Sequence, residues 1–267
     1  MGALHALAIV LSVCNTNGIL PAALTPVLSN VSHIFSTCSQ GVARVAARVH
    51  PEVVAVPCTR GCDTGRWADA ADAATGAAPP IHRVYVVPDI PACTWGGLGE
   101  INGTRVWINA AVATMPDAYV HELGHNLGLD HAGTTNNTYG DGSDPMGYCC
   151  PIRCFHAPHM EQLGWVPRAP AAVPGDLALS AKSYVRLPIT ANASRWAYTQ
   201  YRPRNGTDAG LPPGFGDAVD VYTVAAGNPL GARTTWQAAL RSPGDAWGGT
   251  AIRLVSIDGG VVTLLIV

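Results

Sequence analysis

The chain has 267 residues, of which 48% are hydrophobic and 13% charged, and its formal net charge is -2. That is enough apolar material for a substantial core, and it provides no basic field of the kind phosphate backbones require, which excludes nucleic acid as a partner. Eight cysteines (Cys14, Cys38, Cys58, Cys62, Cys93, Cys149, Cys150 and Cys154) form an even set without the paired C-x-x-C spacing of a zinc ribbon, so disulfides are expected. N-x-S/T sequons at Asn30, Asn102, Asn136, Asn192 and Asn205 agree with passage through a secretory lumen. The two signals together predict a secreted, extracellular glycoprotein.

The apolar start Leu7 to Val13 has no Lys or Arg before it and no small-x-small cleavage site after it, so it reads as a first strand rather than a signal peptide. A targeting segment, and any pro-segment, is expected outside this sequence. No stretch reaches the roughly 18 uninterrupted apolar residues of a spanning helix, and no membrane span is predicted. Thr25 and Pro26 are expected to cap and open a helix whose apolar face is Leu28, Val31, Phe35 and Cys38, with Asn30 on its polar side. Val42 to Val56, Arg83 to Val87 and Arg105 to Asn109 carry β-branched and aromatic residues in runs bounded by Pro, Gly or Asn and predict strands. Between Cys58 and Pro80 an Ala, Asp and Gly stretch reads as a surface excursion with one short helix.

A Pro and Ala cluster at Pro167 to Pro174 marks a composition shift. Beyond it come short strands at Ser183 to Ile189, Trp196 to Arg202 and Ala218 to Val224, then Ile252 to Ile257 and Val261 to Val267 flanking a hairpin turn at Asp258, Gly259 and Gly260. The expected organisation is α+β: a first domain over residues 1–168 and a small all-β domain over 169–267.

The chemistry is concentrated in His121-Glu122-Leu123-Gly124-His125-Asn126-Leu127-Gly128-Leu129-Asp130-His131. On a helix His121 and His125 lie one turn apart on the same face, so their imidazoles can converge on one metal ion with Glu122 beside them. Gly128 can take the left-handed conformation that ends the helix and turns the chain back, bringing His131 in as third ligand. Three neutral imidazoles leave a fourth coordination position for water, the arrangement of a catalytic Zn2+ site. In such a site the metal lowers the pKa of its water and polarises the scissile carbonyl, while Glu122 takes the water's proton and returns it to the leaving amine. The full pattern arises by chance on the order of once in 10⁵ sequences of this composition, which sets coincidence aside.

These residues resemble the metzincin zinc peptidases, in which a methionine-containing turn follows the third histidine; Asp144-Pro145-Met146-Gly147-Tyr148 is the matching segment. Within that clan the chain is most similar to the gametolysin family, the cell-wall lytic proteases of green algae and their volvocine relatives. The matching stretches are Trp95-Gly96-Gly97-Leu98-Gly99 with Trp107-Ile108-Asn109, the zinc motif through Ala132, Tyr139-Gly140-Asp141 through Gly147, and Arg153-Cys154-Phe155-His156-Ala157-Pro158-His159 through Trp165. Some members carry Gln at the first ligand position; His121 here makes zinc the natural metal. The resemblance implies a twisted mixed sheet with an active-site helix, and a zinc endopeptidase acting on extracellular-matrix or cell-wall glycoproteins. It also implies that Tyr148, two residues after Met146, reaches the zinc and stabilises the oxyanion, against the alternative that it packs under the turn.

His156 and His159 read as packing or surface residues, because the catalytic site already has three ligands. Cys149 and Cys150 are adjacent and are expected to bond elsewhere rather than to each other. Trp95 and Trp107 read as core or rim aromatics, and the strand Arg105 to Asn109 as a place for an extended peptide to pair. A catalytically silent glycoprotein-binding module of the same fold is the competing reading, and Glu122 speaks against it, since a silent site has no physical need of a general base. Action on a non-peptide amide is a third, weaker reading. Oligomeric state is not legible.

Overall fold

The computed structural model describes residues 2–76, 81–148, 152–166, 174–180, 183–189, 194–225, 232–248 and 251–267. The chain divides into two compact units, Met1–Gly128 and Leu129–Val267.

The first unit is built on a mixed sheet. Strand β1 (Ala3–Val13) buries Ala6, Ala8, Ile9, Val10, Leu11 and Val13, the near-continuous apolar run of a central parallel strand. Helix α1 (Leu24–Cys38) follows a 3-10 turn at Pro21–Ala23, so Thr25 lies inside the helix and is not its cap; the N-cap is Ala23, without a side-chain bond. Leu28, Val31, Phe35 and Cys38 form the buried face as expected, and Asn30 is exposed. The expected strand Val42 to Val56 is broken around Pro51 into β2 (Arg44–Val49) and β3 (Val54–Val56), both parallel to β1 and paired with successive parts of it.

Helix α2 (Thr64–Thr75) is longer than the short helix expected in that stretch. Asp63 caps it by accepting from Arg66 N, Gly76 ends it at φ 62°, and Trp67, Ala68 and Ala71 bury one face. Disulfides Cys14–Cys58 and Cys62–Cys93 tie the surrounding segments down, and Cys38 and Cys154 are disulfide-bonded as well. Strands β4 (His82–Val87), β5 (Gly97–Gly99) and β6 (Arg105–Asn109) complete the sheet, in the order β2-β1-β4-β6-β5 with β5 antiparallel to β6. Helix α3 (Pro116–Asn126) ends this unit.

The second unit starts at Leu129, not near residue 169, and it is not all-β. Its elements are β7 (Ala132–Gly133), α4 (Ala157–Gln162), β8 (Gly175–Ser180), β9 (Tyr184–Pro188), β10 (Arg195–Arg202), β11 (Ala218–Ala225), β12 (Thr234–Leu240), β13 (Ala246–Trp247), β14 (Ile252–Asp258) and β15 (Val261–Ile266). One sheet runs β7-β12-β11-β10-β9 and the other β13-β14-β15-β8, and the two share a core that includes Leu187, Val219, Val221, Leu254, Val262 and Leu264. The predicted hairpin is present, with Gly259 and Gly260 both at positive φ.

The early boundary has a physical cause. Arg202, buried in β10, donates to the carbonyls of Ser143 and Cys154. Ala157 N donates to Gln200, and the ring of His156 bonds Thr234. Buried polar groups must be paired, so these bonds make residues 129–165 part of the β-rich unit. The Pro and Ala cluster at 167–173 lies outside the described residues.

Candidate metal centre

Helix α3 opens with Pro116 at its first position and Asp117 in its first turn, where a fixed φ and a negative charge both suit a helix start. Tyr119, Val120 and Leu123 are buried, which sets the rotation of the helix and leaves the motif residues on the remaining face. Its far end is anchored to the sheet: Asn126 Nδ2 donates to the carbonyls of Glu100 and Arg105 at 2.9 and 3.0 Å. Asn126 Oδ1 lies 2.9 Å from His82 Nδ1.

Gly128 has φ +92°, the left-handed conformation expected of it, and its N–H donates to His125 O at 2.8 Å. A side-chain carbon there would also meet Asn102 Oδ1 at 2.5 Å. Backbone conformation and space both demand glycine at this turn.

His121 is half-buried and His125 buried, with ring centroids 4.9 Å apart and nearly perpendicular. His131 is half-buried; its N–H donates to Asp130 Oδ1 at 2.7 Å and its ring lies 4.2 Å from that of Tyr139. One ligand atom each from His121, His125 and His131 lies within 4.8 Å of the others, a group that could hold a metal ion. The donor set, three imidazoles, fits zinc.

Glu122 is 7% exposed, and burial pushes its carboxyl up to about 8. The cover over it is β5. A side-chain carbon at Gly97 would overlap the Glu122 carboxylate, and one at Gly99 would come within 2.6 Å of Glu122 O and 3.0 Å of His125 Cβ. Two glycines therefore let a strand lie directly on the helix that carries the motif. β5 is the last strand of its sheet, whereas β6 (Arg105–Asn109) is paired on both sides, with β4 and β5. The strand expected to pair an extended peptide is thus interior, and among the described residues β5 is the edge on that side of the sheet. Trp107 is a core residue as expected, stacked on Tyr85 with Nε1 donating to Thr64 O, and Trp95 packs half-buried on the same core.

In the second unit Met146 is wholly buried, and its turn is pinned from both directions: its N–H donates to Asp144 Oδ1 and its carbonyl accepts from Ala132 N. Tyr148 is 74% exposed, so it does not pack under the turn; its carbonyl accepts from Arg153 Nη2. His156 and His159 are wholly buried beside Asp144 and not at the surface. Burial opposes ionisation of Asp144, but the two imidazoles and the backbone N–H of His156 hold its carboxyl well below the ordinary range. Cys149 and Cys150 lie outside the described residues. Of the five sequon asparagines, Asn30, Asn102, Asn136 and Asn205 are exposed, and Asn192 lies outside the described residues.

The family model for gametolysin peptidase M11 matches residues 19–194, well over half of the chain. The Autolysin of Chlamydomonas reinhardtii is 33% identical over 93 residues, which are 32% of this chain and 15% of that protein's length. Among solved structures, archaemetzincin from Methanopyrus kandleri is similar at a TM-score of 0.38 and 14% identity, over 60% of this chain and 93% of that one. Catalytically inactive OgpA from Akkermansia muciniphila, in complex with an O-glycopeptide, is similar at 0.38 and 12% identity, over 88% and 83%. Both structural likenesses are weak.

Proposed function

The chain belongs to the gametolysin peptidase M11 family, and from that premise we propose that it is a zinc-dependent endopeptidase of the metzincin type. His121, His125 and His131 are its ligands and Glu122 its general acid-base. The observation that carries this reading is the convergence of the three imidazoles within 4.8 Å, with Glu122 in the same helix.

Zinc bound there supplies Lewis acidity, which makes a water nucleophilic near neutral pH and polarises the peptide carbonyl. Glu122 accepts one proton from the water as its oxygen adds to the carbonyl carbon, and passes that proton to the nitrogen as the C–N bond breaks. Its burial beneath β5 keeps the carboxylate from wandering into solvent, so it is placed before substrate arrives. The outer edge of β5 offers the backbone groups of Gly97 and Gly99 as a template for an extended peptide, which lays the substrate along the motif helix.

The substrates are extracellular-matrix or cell-wall glycoproteins, and the protein acts outside the cell. Two disulfides within the first unit and four exposed sequon asparagines support that location.

Incubating the purified chain with a denatured protein and with a hydroxyproline-rich wall extract, with and without a zinc chelator, tests the proposal. New termini that vanish with the chelator and return with zinc are expected, together with a His125→Ala variant that cleaves neither substrate. Cleavage that persists in the chelator or in His125→Ala overturns it.

A further inference from the structure

Outside the motif, a second group of side chains has metal-ligand geometry. Asp144, His156 and His159 are all 0% exposed, and one ligand atom from each lies within 4.8 Å of the others. His159 Nδ1 is 2.9 Å from Asp144 Oδ1, and His156 Nδ1 is 3.2 Å from Asp144 Oδ2. Ligands of a tetrahedral zinc bonded at about 2.0 to 2.1 Å stand roughly 3.3 Å apart, so these spacings suit a shared ion.

Hydrogen-bond bookkeeping points the same way. His156 Nδ1 caps α4 by accepting from His159 N at 3.3 Å, which requires a lone pair on Nδ1, while Nε2 bonds Thr234 Oγ1 at 2.8 Å. A ring in that tautomer turns its Nδ1 lone pair toward the Asp144 carboxylate, an acceptor facing an acceptor in a dry interior. A cation between them supplies the positive partner that two facing acceptors lack, taking the Nδ1 lone pair in place of the long 3.3 Å cap contact from His159 N. The carboxylate is already oriented for this role, since Oδ1 accepts from Met146 N and Oδ2 from His156 N.

Charge balance adds a separate argument. Asp141, Asp144 and Asp220 are wholly buried in this unit, against two buried guanidiniums, Arg153 and Arg202. Arg202 is additionally engaged by Asp208 at 2.7 Å. Asp141 Oδ2 has no hydrogen-bond partner among the described residues and lies 3.7 Å from His156 Nε2. Protonation, which burial favours at Asp141 and Asp220, answers two of these carboxylates, and a cation beside Asp144 would answer the third.

We propose that Asp144, His156 and His159 form a second, structural site for a divalent cation of the zinc class, which fastens the Asp144–Met146 turn to helix α4. This site is separate from the histidines of the motif, and it stands or falls independently of the peptidase reading.

Elemental analysis of the chain after dialysis against a weak chelator, with zinc as the probe, tests it. The wild type is expected to hold two ions. A His121→Ala/His125→Ala variant, which leaves one imidazole at the motif and touches nothing in the second unit's core, is expected to keep one. X-ray absorption at the zinc edge of that variant should show imidazole ligands, and adding Asp144→Asn should release the ion.

A folded His121→Ala/His125→Ala protein with no zinc overturns the proposal and leaves His159 a plain hydrogen-bond donor to Asp144. An ion that survives Asp144→Asn also overturns it, because the ion then lies elsewhere. One ion in the wild type and one in the double variant would uphold this site and remove the metal from the motif.

Discussion

Gly97 stands so close to Glu122 that any side-chain carbon at position 97 would overlap the carboxylate. A side-chain carbon at Gly99 in the same strand would meet backbone first, at 2.6 Å from Glu122 O, with His125 Cβ at 3.0 Å and Glu122 Oε2 at 3.1 Å beyond it. The two glycines thus guard different things, one the position of a reacting group and the other the packing of a strand on a helix. Gly97→Ala is expected to lower kcat at least about tenfold, because displacing a positioned carboxylate by an ångström is costly, while the melting temperature changes little as a flexible side chain yields. Gly99→Ala is expected to destabilise the first unit by about 1 to 3 kcal/mol, the cost of overpacking against backbone. Steady-state kinetics and thermal melts of both variants check this. Equal loss of stability in the two would remove the distinction.

Glu122→Ala is expected to retain zinc and fold but to lose peptidase activity by about 10² to 10⁴, the usual worth of a positioned acid-base group. Removing a carboxylate that is 7% exposed relieves its desolvation, so the variant should be no less stable than the wild type. Glu122→Asp should be nearly as inactive, since the shorter side chain misplaces the carboxylate. Turnover assays with metal analysis on the same samples decide it, and near-normal turnover would assign the base elsewhere.

The motif was legible because its information is local. The helical repeat brings His121 and His125 to one face, and the left-handed turn at Gly128 follows from its lack of a side chain. Strand β5 was invisible for the opposite reason: Gly97 and Gly99 contribute no apolar periodicity, and their purpose is defined only by Glu122 more than twenty residues away. The cap at Thr25 misled because Pro21 opens a 3-10 turn first and the helix begins ahead of Thr25. The compact units divide at Gly128 and Leu129 while composition changes near residue 167, because the bonds that bind Ser143, Cys154, His156 and Ala157 to Gln200, Arg202 and Thr234 leave no trace in composition. Buried His156 and His159 likewise looked like ordinary polar residues until the fold placed them on Asp144.

Asp220 links the second unit's stability to pH. Burial raises its carboxyl from 3.8 to about 6, against the opposing pull of the Trp236 hydrogen bond and the guanidiniums of Arg202 and Arg241; Tyr222 and Asp141 are its other charged or titratable neighbours. A carboxyl raised on folding favours the native state below its unfolded pKa, and that contribution is lost as pH rises through the folded value. Asp220→Asn keeps an oxygen for Trp236 Nε1 but never ionises. Its stability relative to wild type should therefore increase between about pH 4 and pH 7, by at most about 3 kcal/mol. Urea midpoints at those two values check it, and a difference that is flat or falls with pH would show that Arg202 and Arg241 outweigh burial.

Tyr148 is 74% exposed, so its ring contributes little to packing and its hydroxyl is available for work at the protein surface. Its backbone is nonetheless held, because the buried Arg153 guanidinium donates to the carbonyls of both Asp144 and Tyr148 at 2.7 Å. A fixed backbone with a free side chain is what a group that must approach the scissile carbonyl and withdraw again requires. On the proposed role, the phenol donates to the oxyanion that develops as water adds to the peptide. Tyr148→Phe removes only that donor. The expected result is a fall in kcat of roughly 10 to 10³ with little change in KM, zinc content or melting temperature, the pattern of an interaction made only in the transition state. Arg153→Met provides the companion measurement: it removes the one nitrogen, Nη2, that donates to both carbonyls, so it should loosen the turn and lower both stability and kcat. If Tyr148→Phe turns over normally, oxyanion stabilisation falls to the metal alone and Tyr148 has no part in the reaction.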